Sequence, residues 1–77
     1  MNRTRNQKIL KQFGVNLRKI RISKKLSLRK LGDIADVDFS QIHRLEKGAS
    51  NPTLTMILAL AEALNVDPVK LINLKSE

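Results

Sequence analysis

The stretch from Leu26 to Gly48, LSLRKLGDIADVDFSQIHRLEKG, constrains this chain more than any other. Leu28, Leu31, Ile34 and Ala35 recur at helical spacing, and so do Ile42 and Leu45, with Asp36-Val37 between the two groups. Two short amphipathic helices joined by a turn of about four residues are the sequence form of a helix-turn-helix, whose second helix can enter the major groove of DNA.

Local chemistry predicts where each of these helices begins. Ser27 is the N-cap of helix 2, and Leu26 and Leu31 stand at staple positions around it. Asp36 occupies the point where the turn needs a left-handed residue, a conformation that Asp tolerates better than most non-glycines. Asp38 caps helix 3 in a variant of the capping box. Its carboxylate is expected to accept from the backbone N–H of Gln41, with the Gln41 side chain reaching back and with Val37 and Ile42 as the staple. Helix 3 is predicted from about Phe39 to Lys47, stopping at Gly48. Only Ile42 and Leu45 must face inward. Phe39, Ser40, Gln41, His43, Arg44 and Lys47 are left outside, so a short helix presents a hydrogen-bonding outer face, as groove insertion requires.

Around this unit the pattern stays helical. Residues 1–6, MNRTRN, show no periodicity and read as a mobile basic arm, leaving residues 7–77 as one domain. Helix 1 is predicted from Gln7 to Ser23, with Ile9, Leu10, Phe13, Leu17 and Ile20 on its apolar face. Gly14 costs roughly 1 kcal/mol relative to Ala inside a helix, so it marks a close backbone approach. After a loop over Ala49-Ser50-Asn51-Pro52, Thr53 caps helix 4, from Leu54 to Leu64. Leu54, Ile57, Leu58, Leu60, Ala61 and Leu64 make it the most apolar helix and place it at the centre of the core. Asn65 reads as its left-handed end. Asp67 and Pro68 then open helix 5 as cap and first helical residue. Val69, Leu71, Ile72 and Leu74 make helix 5 apolar on more than one side. One side closes the core, and the remainder is expected to form a dimer contact.

Composition sharpens the partner. Of 77 residues, 15 are Lys or Arg and seven are Asp or Glu, for a formal net charge of +8. The first acidic residue is Asp33, whereas cations run from Arg3 to Lys30. That asymmetry suits a polyanion. Arg29 and Lys30 sit in the first turn of helix 2, where cations oppose the helix dipole, unless a phosphate binds there. Cysteine is absent and there is one histidine, which leaves no disulfide, no metal site and no cofactor site to propose. With no apolar run near the ~20 residues of a membrane span and no signal-peptide pattern, the expected location is cytoplasmic. No small-molecule site is evident. Paired carboxylates, nucleophile motifs and phosphate-cradling loops are missing, which argues against an enzyme.

From Phe13 to Leu74 the chain resembles the Cro and phage-repressor helix-turn-helix family, also called the Xre type. The carriers are LRKIR at Leu17 to Arg21, the L-S-x-x-x-L start at Leu26 to Leu31, I-x-R-L-E-K-G at Ile42 to Gly48, NPT at Asn51 to Thr53 and ALNV at Ala63 to Val66. In this order and spacing they are highly specific. The resemblance implies an all-α, five-helix fold with helices 2 and 3 as the reading unit, and homodimers on inverted-repeat operators. It implies a buried ion pair between Arg21 and Glu46. Carried over by position, Phe39, Ser40, His43 and Arg44 face base edges. Arg44 suits bidentate pairing with guanine, and Phe39 suits either packing on a thymine methyl or packing on the turn. Lys47, Ser50 and Asn51 match phosphate-contacting positions, and Ser27, Arg29, Lys30 and Gln41 complete the expected phosphate set. Two positions depart from the pattern. Leu28 stands where a phosphate-gripping glutamine is frequent, leaving that contact to Arg29 or Lys30, and Asp36 replaces the turn glycine.

Two function classes remain. One is a sequence-specific transcriptional regulator, repressor or autoregulator, that responds through its own concentration. The other is a protein-binding module, the antitoxin of a toxin–antitoxin pair. The chain lacks a long extension suited to wrapping a toxin, which ranks the second lower.

Overall fold

The computed structural model describes residues 6–73 and consists of five helices. They are α1 (Gln7–Ser23), α2 (Leu28–Ala35), α3 (Phe39–Glu46), α4 (Leu54–Leu64) and α5 (Pro68–Ile72). Of the predicted basic arm, residues 1–5 lie outside the described residues. Asn6 is the N-cap of α1, its side-chain oxygen accepting from the Ile9 N–H at 3.2 Å.

Every helix opens on a polar cap. The Ser27 and Thr53 hydroxyls accept from backbone N–H groups three residues on, those of Lys30 and Met56. Both aspartate caps bond two residues on instead. Asp67 accepts from Val69 N–H, and Asp38 accepts from Ser40 N–H at 2.9 Å and from the Ser40 hydroxyl at 2.8 Å. The capping box expected with Gln41 is therefore replaced. Ser40 satisfies the Asp38 carboxylate, and the Gln41 N–H goes to the Asp38 backbone carbonyl. Asp36 and Asn65 adopt the left-handed conformation, with φ of 58° and 57°, as does Gly48 at 72°. Lys25 does so as well, at 60°, which its side chain gives no reason to expect.

The core joins all five helices through Phe13, Leu17, Leu31, Ile42, Leu45, Leu60, Ala61, Leu64 and Leu71. α1 packs on α3 and α5, α2 on α3 and α4, and α4 on α5. Gly14 is a point of close approach, since a Cβ there would lie 2.5 Å from the Glu46 carbonyl oxygen. Gly32 has the same role in the turn: a Cβ there would stand 2.6 Å from the Val37 carbonyl oxygen. The chain thus doubles back tightly enough to set α3 against α2.

Several apolar residues expected inside lie at the surface. Ile9, Ile34, Leu54 and Leu58 are all exposed. α4 is the most apolar helix, yet it buries only Leu60, Ala61 and Leu64 fully. In α5, Leu71 is completely buried, whereas Val69 and Ile72 are 63% and 49% exposed. Leu71 is accordingly a core residue and leaves the set expected at a dimer contact. Leu74 lies outside the described residues. Asn16, halfway along α1, donates through its side-chain amide to the Lys70 and Leu71 carbonyls, both at 2.7 Å. These carbonyls belong to the last turn of α5 and have no partner within so short a helix.

Candidate nucleic-acid interface

α3 is divided lengthwise. Ile42, Leu45 and Glu46 are buried, while Phe39, Ser40, Gln41, His43 and Arg44 are exposed, as is Lys47 just beyond. Two apolar residues and one ion pair hold the inner side. Arg21 donates from Nε to Glu46 Oε2 at 2.6 Å and from Nη2 to Oε1 at 3.0 Å, while Nη1 donates to the Leu26 carbonyl at 2.8 Å. The pair is bidentate, and the Glu46 side chain is 3% exposed. Arg21 therefore ties α1, the start of the α2 connection and the end of α3 into one geometry. Gln7 adds a further tie, its amide donating to the Gly48 carbonyl at 2.7 Å. The orientation of the outer face of α3 follows from these contacts.

The outer face carries the residues singled out in the sequence. The Ser40 hydroxyl is engaged with Asp38, so its donor is used within the protein and its oxygen remains as an acceptor. The two Ser40 hydrogen bonds, with the nearby Arg44 charge adding a smaller effect, hold the Asp38 carboxyl below the usual carboxylate range. His43 and Arg44 stand exposed in the last turn of α3, where the Arg44 charge complements the helix dipole. Ser27, Arg29 and Lys30 are exposed at the start of α2, although the Ser27 oxygen is occupied by the Lys30 N–H. Asn51 is exposed and Ser50 half-buried in the loop before α4.

One arrangement was not anticipated. The Arg29 guanidinium of α2 lies over the Phe39 ring of α3, 4.4 Å from its centroid. Phe39 is 38% exposed. The two residues are ten apart in sequence on different helices, and only the tight turn at Gly32 and Asp36 brings them together.

Among the described residues no group of His, Cys, Asp or Glu could hold a metal ion, and no helix is long and apolar enough to cross a membrane. A five-helix fold with a locked short helix facing outward defines a helix-turn-helix DNA-binding protein. The helix-turn-helix family HTH_3 matches over residues 17–71, and the chain belongs to that family, whose members are DNA-binding transcription regulators. No curated protein matches the chain. Among solved structures, it is similar to the restriction-modification controller protein C.AhdI from Aeromonas hydrophila. That protein is 39% identical with a TM-score of 0.79, over 80% of this chain and 94% of the other. Two further structures share the fold at 22% identity. The HTH_3 family transcriptional regulator from Vibrio cholerae has a TM-score of 0.83 over 87% of this chain and 38% of its own. The clp gene regulator ClgR from Corynebacterium glutamicum has 0.80 over 84% and 69%. The family and these relatives are regulators, not enzymes.

Proposed function

We propose that this DNA-binding regulator reads an inverted-repeat operator as a homodimer, with α3 in the major groove, and acts as a repressor or autoregulator of the controller type. The observation that carries the reading is the division of α3: Ile42, Leu45 and the Arg21–Glu46 pair lock one side, and Phe39, Ser40, His43 and Arg44 are exposed on the other. Arg44 pairs with guanine, and Ser40 offers its oxygen to a base amino group. Ser27, Arg29, Lys30, Gln41, Lys47, Ser50 and Asn51 position the protein on phosphates. Exposed Val69 and Ile72 on α5, with Leu74, supply the two-fold contact. The 39% identity to a restriction-modification controller protein supports the autoregulatory role.

The test is selection of bound duplexes from a random DNA pool at near-physiological salt, followed by sequencing. An enriched inverted repeat supports the reading and sets the half-site spacing. Binding that shows no enrichment and vanishes as salt rises would leave only attraction between a basic protein and a polyanion. Against the enriched site, Arg44→Ala should cost about 1–3 kcal/mol and relax one base position. Unchanged site preference would remove Arg44 from the reading face.

A further inference from the structure

Arg29 of α2 and Phe39 of α3 meet across the turn. The guanidinium lies over one ring face, 4.4 Å from the centroid, and Phe39 stays 38% exposed. Among the described residues the Arg29 side chain makes no ion pair or hydrogen bond, which leaves its guanidinium N–H groups available beside the ring. The contact narrows the rotamers of a side chain that would otherwise sample many, so part of the ordering cost is met before any ligand arrives. Phe39 is the first residue of α3, and Arg29 lies in the first turn of α2.

We propose that Arg29 and Phe39 act as one recognition unit, taking a 5-methylpyrimidine, thymine in ordinary duplex DNA, together with an adjoining phosphate. The inference rests on α3 lying in the major groove. The phenyl ring carries no hydrogen-bonding atom, and the apolar group that a major groove offers is the thymine methyl. The guanidinium rim carries N–H groups in a planar fork that suits phosphate oxygens. Phe39 then has two roles: it contacts the methyl and it positions Arg29. Arg29 is in turn more than a mobile cation, because its place relative to the read base is set by the ring. A lysine at this position keeps the charge but loses the flat stack and the fork.

The experiment uses the full chain and the duplex recovered by selection, with each thymine of a half-site replaced in turn by uracil, which removes only the methyl. For the wild-type protein, one position per half-site should weaken binding about 3–5-fold, the worth of one buried methyl. In Phe39→Ala that penalty should disappear, and in Arg29→Lys binding should fall although the charge is kept. With Arg29→Ala measured alone as well, the combined Arg29→Ala, Phe39→Ala protein should bind less weakly than the Arg29→Ala and Phe39→Ala losses multiplied together. The proposal is overturned if every thymine can be replaced without loss, if the selected half-site contains no thymine, or if the penalty persists in Phe39→Ala. Because the uracil series is read first on wild-type protein, a variant that folds poorly does not decide the result. If selection yields no preferred duplex, the sequence-reading function fails and this unit with it. If Arg44→Ala relaxes a base while uracil has no effect, only the unit fails.

Discussion

The α1–α3 contact and the α4–α5 end solve opposite problems. At the first, Gly14 lets two helices approach until backbone nearly meets backbone, and the Arg21–Glu46 pair is sealed beside it. At the second, Leu54, Leu58, Val69 and Ile72 remain open to water, with Leu71 alone of α5 fully inside. The first region holds a polar outer surface in a fixed attitude and has little slack. The second has apolar surface in excess of what its own core uses. A protein that must meet a hydrated, charged partner on one side and a greasy one on another would divide its surface in this way.

The largest effect expected from breaking this contrast is at the ion pair. Glu46→Ala should destabilise by about 3–5 kcal/mol, because it strands a mostly buried guanidinium. Arg21→Ala should cost a similar amount, and the double variant less than the sum, as measured by denaturant unfolding. Additive losses would mean that the two charges do not depend on each other. Next come neighbouring residues of α5. Leu71→Ala should cost about 2–5 kcal/mol as a core truncation. Ile72→Glu should change monomer stability by no more than about 0.5 kcal/mol, while sedimentation shifts toward monomer. If Ile72→Glu leaves both sedimentation and stability untouched, the apolar end has no role in assembly. The smallest effect is at the exposed α3 cap. The Asp38 carboxyl is held below its ordinary value chiefly by hydrogen bonds from Ser40, so its contribution is fully present above about pH 4 and is lost as pH falls through the lowered folded value. Asp38→Asn should therefore flatten the acid limb of the melting temperature against pH, with little change at neutrality. An acid limb identical to wild type would show that the cap does not titrate with folding.

Helix boundaries were largely legible because their signals are local. Ser27, Asp38, Thr53 and Asp67 each cap the helix they precede, and Asp36 and Asn65 turn left-handed where the chain must reverse. Periodicity identified apolar stripes but not where a neighbour stops covering them, which is why Ile34 and Leu58 were expected inside and lie outside. Contacts across large sequence separations carry no local signal. Asn16 reaching the end of α5 and Gln7 reaching Gly48 belong to this group. The Arg21–Glu46 pair, 25 residues apart, was readable only through family resemblance. The Arg29–Phe39 stack required the packing of two helices to be known.

The lengthwise division of α3 bears on how such a protein can change over generations. Residues buried in the core and the exposed residues proposed to read DNA alternate along one eight-residue helix, yet they meet different neighbours. If His43 and Arg44 read DNA as proposed, substitutions there would redirect the protein to a new address without disturbing the scaffold, since exposed positions shift stability little. Ser40 and Phe39 are less free, because one completes a cap and the other holds an arginine. Lineages of this architecture should therefore diversify first at the end of the reading helix and last at its beginning.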